Sequence, residues 1–161
     1  MEQHDDFFSA VSALGAIEQL DVEALRLLYR IECAGEEFYN QLADRIGDAR
    51  AADLFRRNGR EERGHAERVR RVLAIKLGHA YEPTAEDTAP YNIPLPDTIS
   101  PELLPLIVQG ELDGDAGYQR WADREPDAEA QRLLRLNGRE ETTHGERVRE
   151  VMAILSPNQN R

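Results

Sequence analysis

Two stretches of the sequence end in the same pair of residues, a glutamate followed three positions later by a histidine. Residues 58–65 read Asn-Gly-Arg-Glu-Glu-Arg-Gly-His, and residues 137–144 read Asn-Gly-Arg-Glu-Glu-Thr-Thr-His. The pairs are Glu62 with His65 and Glu141 with His144. Positions three apart lie on one face of an α-helix, so each pair directs a carboxylate and an imidazole to one place. Both groups are ligands of transition-metal ions, and the spacing therefore indicates a metal site.

The similarity between the two stretches extends outward at a constant offset of 79 residues. Residues 29–76 align with residues 108–155 without a gap, and about half of the aligned residues are identical. Further aligned pairs are Glu32 with Glu111, Tyr39 with Tyr118, and Asp48 with Asp127. The sequence is therefore predicted to contain two copies of a helical hairpin, and each copy supplies two glutamates and one histidine.

Apolar residues at helical spacing predict four long helices, two in each hairpin. The predicted ranges are 22–46 and 49–77 for the first hairpin, and about 102 or 106 to 123 and 128–156 for the second. Asp21, Asp48 and Asp127 are suited to cap helix N-termini, and Gly78 favours a helix end. Residues 79–100 contain four prolines and predict an ordered linker rather than a helix.

A further short helix is predicted near the N-terminus, over residues 5–19. Helical spacing places Phe7, Phe8, Val11 and Leu14 on one apolar side of it. We expect this side to pack against another surface, which is either its own bundle or a second subunit.

Two hairpins joined by a long linker predict an all-α fold, a four-helix bundle with one long crossover. The whole chain, residues 1–161, is expected to form one domain with repeat units at about 22–78 and 101–157. Within each hairpin the two glutamates lie fifteen residues on either side of the turn, which contains Gly47 in one copy and Pro126 in the other. At a rise of ~1.5 Å per residue they reach the same height on facing helices. The bundle is thus predicted to bring four carboxylates and two imidazoles together at mid-height.

A buried cluster of carboxylates needs compensating positive charge, because an unpaired buried charge is costly. Two divalent metal ions would supply that charge, and oxygen and imidazole ligands suit iron or manganese. The alternative is that the repeated motif lies by accident on a charged helix surface. The matched heights and the duplication favour the metal site.

The composition disfavours several classes of function. The sequence of 161 residues has a formal net charge of −11, which argues against nucleic acid as a partner. No apolar run approaches the ~20 residues of a membrane span, and the first residues lack the basic segment of a signal peptide. One cysteine, Cys33, is too few for a disulfide framework or a rubredoxin-type iron centre. A cytoplasmic protein without membrane or nucleic-acid contacts is the expectation.

The duplicated motif resembles the ferritin-like di-iron carboxylate superfamily, and within it the rubrerythrin-related and bacterioferritin-like branch. Those proteins use a glutamate from each of two helices and Glu-x-x-His from each of the other two. The resemblance covers about residues 20–156 and implies two iron ions, with manganese as the alternative metal. It implies that Glu32 and Glu111 are terminal ligands, that Glu62 and Glu141 bridge both ions, and that His65 and His144 each bind one.

Other residues near the implied ligands carry expectations of their own. By the same resemblance, Tyr39 and Tyr118 belong to the second shell and hydrogen-bond a metal carboxylate, with packing in the core as the alternative. Glu36 and Asp115 lie four residues after the terminal glutamates. They are predicted to be extra ligands, to orient the histidines, or to lie in solvent.

Two further pairs flank the motif. Glu61 and Glu140 precede the implied bridging residues and are expected in the outer shell or at the surface. Gly35 and Gly114 either leave room for O₂ or peroxide or permit a close helix contact. Gly114 stands three residues after Glu111, at the position where rubrerythrins proper carry a second glutamate. In those proteins that glutamate exchanges with a histidine as an iron ligand, and the glycine puts this exchange in doubt here.

The favoured function is redox catalysis at a di-iron centre that reduces hydrogen peroxide or O₂ while oxidising Fe²⁺. Because the sequence offers no second redox centre, an external electron donor protein is expected. The alternatives are iron storage or detoxification without sustained turnover, hydroxylation of an organic substrate, and a structural bundle that retains its ligands. A homodimer or higher oligomer is the expected assembly, since the short N-terminal helix lies outside the four-helix repeat.

Overall fold

The computed structural model describes residues 6–156 of the chain. Apart from one isolated bridge, the regular structure of these residues is helical, as predicted. The helices are α1 (Phe7–Gly15), α2 (Val22–Arg45), α3 (Ala49–Leu77), α4 (Leu104–Arg124) and α5 (Ala128–Leu155), with a 3₁₀ turn (Pro101–Leu103) before α4. None of these helices is long and apolar enough to span a membrane.

Aspartate side chains begin three of the long helices. Asp21, Asp48 and Asp127 accept hydrogen bonds from backbone amides in the first turns of α2, α3 and α5 at 2.8–2.9 Å. A cap of this kind stabilises a helix by about 1 kcal/mol. Gly78 ends α3 with a φ of 74°, a conformation that glycine adopts without a steric penalty. These local signals explain why the predicted helix bounds lie close to the observed ones.

The long helices pack unequally. Within each hairpin α2 packs along α3 and α4 along α5, and the hairpins join where α3 packs on α5. Between α2 and α4, in contrast, backbone contact is at most marginal. The short helix α1 contacts both α2 and α4. The bundle is therefore tight on the α3–α5 side and open on the α2–α4 side, where α1 lies.

The linker between the hairpins is anchored by arginines of α2. The Arg26 Nε atom donates to Asp87 Oδ1 at 2.7 Å, and Arg45 Nη1 donates to the carbonyl oxygen of Leu95 at 2.9 Å. The linker also contributes the buried side chains of Tyr91 and other apolar residues to the core. These contacts fix the crossover along the bundle.

The apolar side of α1 differs from the predicted one. Phe7 and Leu14 are buried against the protein's own bundle, and Phe7 stacks on Phe38 with ring centroids 5.2 Å apart. Phe8 and Val11, which were expected on the same side, remain 41% and 40% exposed. Helix α1 therefore packs on its own bundle through one stripe and presents a second apolar stripe to the surface.

Candidate metal centre

Six residues of the two motifs meet between the four long helices. They are Glu32 on α2, Glu62 and His65 on α3, Glu111 on α4, and Glu141 and His144 on α5. All are buried except Glu111, which is half-buried. Their oxygen and nitrogen atoms form two groups, each within 4.8 Å, that could hold a metal ion. The groups are Glu32, Glu62, His65 and Glu141, and Glu62, Glu111, Glu141 and His144. Glu62 and Glu141, the residues implied to bridge, belong to both groups.

The histidines show that a metal ion fits this cluster. The Nδ1 atoms of His65 and His144 are buried and have no hydrogen-bond partner among the described residues. Each lies 3.1–3.8 Å from carboxylate oxygens of the cluster, but none of these contacts is a hydrogen bond. Buried polar atoms are nearly always satisfied, so two repeated exceptions need an explanation. A metal ion between imidazole and carboxylates would satisfy them.

A glutamate of the opposite hairpin orients each histidine. His65 Nε2 lies 3.0 Å from Glu140 Oε2, and Arg68 donates to both oxygens of that carboxylate at 2.7 and 3.0 Å. The second copy repeats the arrangement with His144, Glu61 and Arg147 at 3.1, 2.6 and 3.1 Å. When Nε2–H donates to a carboxylate, the lone pair of Nδ1 faces the cluster. Metal-binding histidines commonly have such a carboxylate partner.

The two tyrosines also reach across the bundle. The hydroxyl of Tyr39 donates to Glu111, and the hydroxyl of Tyr118 donates to Glu32. The expected hydrogen bond to a cluster carboxylate is therefore present. Its partner is the glutamate of the other hairpin rather than the one seven residues earlier on the same helix.

The Rubrerythrin family model matches residues 23–152. The chain belongs to the rubrerythrin family. This is a ferritin-like di-iron carboxylate family, as the sequence resemblance implied. No match was found among curated proteins, and none was found among solved structures.

The cluster shifts the pKa values of its own members. Burial raises the pKa of Glu32 to about 8. Burial, together with the charges of Glu141 and Glu62, raises the pKa of Glu111 well above its ordinary value. Burial alone would lower the pKa of His144, but Glu141 and Glu62 raise it to about 10. Without metal, protons on imidazoles and terminal carboxylates therefore balance the charge, and a metal ion has to displace them.

Two buried asparagines and two half-buried arginines complete the surroundings of the histidines, and none of the four was among the predicted site residues. Arg68 Nη1 donates to Asn137 Oδ1, and Arg147 Nη1 donates to Asn58 Oδ1, both at 2.9 Å. Each asparagine also donates through Nδ2 to a histidine backbone oxygen of the other hairpin at 3.2 Å. All four residues are identical between the two copies at the offset of 79, and this identity could have marked them as site residues in the sequence.

The acidic residues four positions after the terminal glutamates lie elsewhere. Glu36 forms an ion pair with Arg63, and Asp115 accepts a hydrogen bond from Thr142 Oγ1 at 2.6 Å. Neither residue belongs to the groups that could hold a metal ion. The structure therefore does not support them as extra ligands, and the histidines are oriented by the glutamates described above.

The two glycines near the cluster differ from each other. A Cβ atom at Gly35 would lie 2.9 Å from three atoms of the Glu62 side chain. A Cβ atom at Gly114 would lie 3.5 Å from Glu141 Cγ, which is an ordinary contact. The space beside Gly35 is therefore taken up by the Glu62 side chain of the neighbouring helix α3, so of the two alternatives Gly35 permits a close helix contact.

Proposed function

We propose that this protein is a di-iron peroxidase or ferroxidase that reduces hydrogen peroxide or O₂ while oxidising Fe²⁺. The observation that carries the proposal is the pair of buried ligand groups that share Glu62 and Glu141. Groups that share two carboxylates are suited to two ions ~3.5–4 Å apart, the spacing of two-metal sites. Two bound iron ions would supply two electrons to one oxidant molecule.

The charges and ligand types of the cluster support iron, with manganese as the alternative. Four carboxylates balance two divalent ions, so the occupied site would be close to neutral. Carboxylate oxygens and imidazole nitrogens suit both metals. The oriented imidazoles of His65 and His144 would hold one ion each, and Glu32 and Glu111 would hold the outer positions.

Protons for the reaction are held at defined atoms of the chain. Reduction of hydrogen peroxide to two water molecules consumes two electrons and two protons. The hydroxyl groups of Tyr39 and Tyr118 hold protons against the carboxylates of Glu111 and Glu32. Each tyrosine thus keeps a proton next to a terminal carboxylate and fixes the position of that carboxylate.

Sustained turnover requires electrons from outside these residues. The 161 residues contain one cysteine, too few for an iron–sulfur or rubredoxin-type centre. We therefore expect an external electron donor protein to reduce the centre after each cycle.

Stopped-flow mixing tests the proposal. The protein would be loaded with two equivalents of Fe²⁺ without oxygen and mixed with hydrogen peroxide or O₂, with near-ultraviolet absorbance as the signal. We expect an absorbance change with both oxidants and a faster one with peroxide. If O₂ reacts as fast or faster, the peroxidase part is wrong and the ferroxidase part stands. If neither oxidant changes the absorbance, the centre is not redox-active.

A further inference from the structure

An apolar cavity of about 440 Å³ lies on the open side of the bundle, between α2, α4 and α1. Its walls include Leu28, Phe38, Ile107 and Trp121, and its lining also includes all four glutamates of the cluster. The two histidines do not line it. The cavity therefore reaches the carboxylates of the cluster but not its imidazoles.

The size and lining of the cavity suit an organic molecule. Ligand pockets commonly measure ~300–1,000 Å³ and are mostly apolar with a few convergent polar groups. The cavity is roughly three times as large as an engineered apolar cavity of ~150 Å³ that binds benzene. Hydrogen peroxide and O₂ alone would need neither this volume nor these walls.

The exposed apolar surface of the protein is concentrated at the same cavity. Among residues 6–156, the exposed large apolar side chains are Phe8, Val11 and Leu106, which are 41%, 40% and 69% exposed. All three line the cavity. The cavity lining therefore continues into apolar side chains that solvent reaches.

The polar end of such a molecule has to be neutral. A charged end of either sign would lose its hydration between the apolar walls. The cluster is near neutral both with protons in the metal-free protein and with two divalent ions bound, so a charged end would gain little attraction in return. A neutral oxygen-bearing end that points to the carboxylates avoids this loss.

We propose that this cavity binds an alkyl hydroperoxide, with the peroxide end at the carboxylates and the alkyl chain between α2 and α4. The choice of a hydroperoxide among neutral organic molecules rests on the proposed peroxidase function. Its reduction breaks the O–O bond and consumes two protons and two electrons from the external donor protein. The products are the corresponding alcohol and one water molecule.

Fluorescence of the metal-free full chain tests the binding site. Trp121 is the only tryptophan of the sequence, lies in the cavity wall and is 5% exposed. Octanol with a terminal bromine, a stable neutral analogue that quenches tryptophan, should quench it saturably. The corresponding bromo-octanoate anion should bind at least tenfold more weakly. Saturable quenching with this preference supports the site, whereas unsaturable quenching or equal binding of the anion overturns it.

A matched pair of variants tests the position of the site. Gly110 lines the cavity on α4, and a Cβ atom there would meet nothing within 4 Å. Gly110→Leu should therefore narrow the cavity without a clash and weaken bromo-octanol binding at least tenfold. Ala116→Leu also places a leucine on α4, but at an exposed position outside the cavity lining, and should leave bromo-octanol binding unchanged. Equal binding by wild type and Gly110→Leu, with both variants folded by circular dichroism, overturns the assignment.

Turnover separates this proposal from the proposed function. With iron and a common electron donor, the ratio of kcat/KM for octyl hydroperoxide to that for hydrogen peroxide should fall at least tenfold in Gly110→Leu. An unchanged ratio overturns the hydroperoxide assignment. If wild type reduces neither peroxide but still binds bromo-octanol saturably, the peroxidase function fails while the organic site stands.

Discussion

Replacing Gly35 with alanine should weaken metal binding while leaving the folding of the protein intact. The added Cβ atom would lie 2.9 Å from Cγ, Cδ and Oε2 of Glu62, whereas ordinary contact begins at 3.4 Å. The Glu62 carboxylate therefore has to move by ~0.5 Å, which is the tolerance within which a functional site must be held. Because Glu62 belongs to both ligand groups, the displacement would affect both of them.

The expected loss can be estimated from the same contact. Disturbing the support of a metal ligand typically weakens metal binding ~10–100-fold, which corresponds to ~1.4–2.8 kcal/mol. The backbone should tolerate the change, since alanine is favoured over glycine in a helix by up to about 1 kcal/mol. Gly114→Ala, the matched variant of the other hairpin, meets Glu141 at 3.5 Å and should bind metal like wild type.

Calorimetric titration of the metal-free proteins with Mn²⁺ measures this difference, and circular dichroism checks the helices. The reasoning is refuted if Gly35→Ala binds within twofold of wild type. It is equally refuted if Gly114→Ala loses as much affinity as Gly35→Ala, because the effect would then not depend on the contact with Glu62.

The remaining predictions concern ligands, protonation and assembly. Glu140→Gln should weaken Mn²⁺ binding ~10–100-fold by calorimetry, because it removes the carboxylate that orients a histidine; an unchanged affinity would contradict this. Glu141→Ala should remove more metal than Glu36→Ala by elemental analysis, and equal contents would count against the assignment. The pKa values of Glu32 (raised to about 8, from 4.5) and His144 (raised to about 10, from 6.5) mean that the folded protein binds protons more tightly than the unfolded chain does. The unfolding temperature of the metal-free protein should therefore fall from about pH 6 to about pH 10, and a constant value would refute this sign. Sedimentation should show a dimer or higher oligomer, and a monomer or a cage of about 24 subunits would contradict that expectation.

The parts of the site that follow from a single helix could be read from the sequence. Glu62 and His65 share a helix face by spacing alone, and their duplication at 141 and 144 made an accident improbable. The helix bounds were also predictable, because Asp48 and Gly78 act on the backbone next to them. These features depend on contacts within a few residues of the chain.

The parts that depend on packing could not be read in this way. Helical spacing places Tyr39 on the same face as Glu32, but its hydrogen bond goes to Glu111 on another helix. Helical spacing likewise places Glu140 on a different face of its helix from Glu141, but it does not reveal that Glu140 contacts His65 of the other hairpin. The cavity depends on the separation of α2 from α4, a distance that no local pattern encodes.

The cross-connections of the two hairpins have a consequence for how the site forms. His65 is oriented by Glu140, and Glu32 by Tyr118, so each hairpin lacks part of the surroundings of its own ligands. Neither hairpin alone can present the complete cluster, and a bound metal ion would therefore favour their association. The contacts are also divided between the two sides of the bundle. The imidazoles and their partners lie where α3 packs tightly on α5, whereas the cavity lies where α2 and α4 separate. The proposed hydroperoxide would thus occupy the open side, away from the packing that holds the histidines.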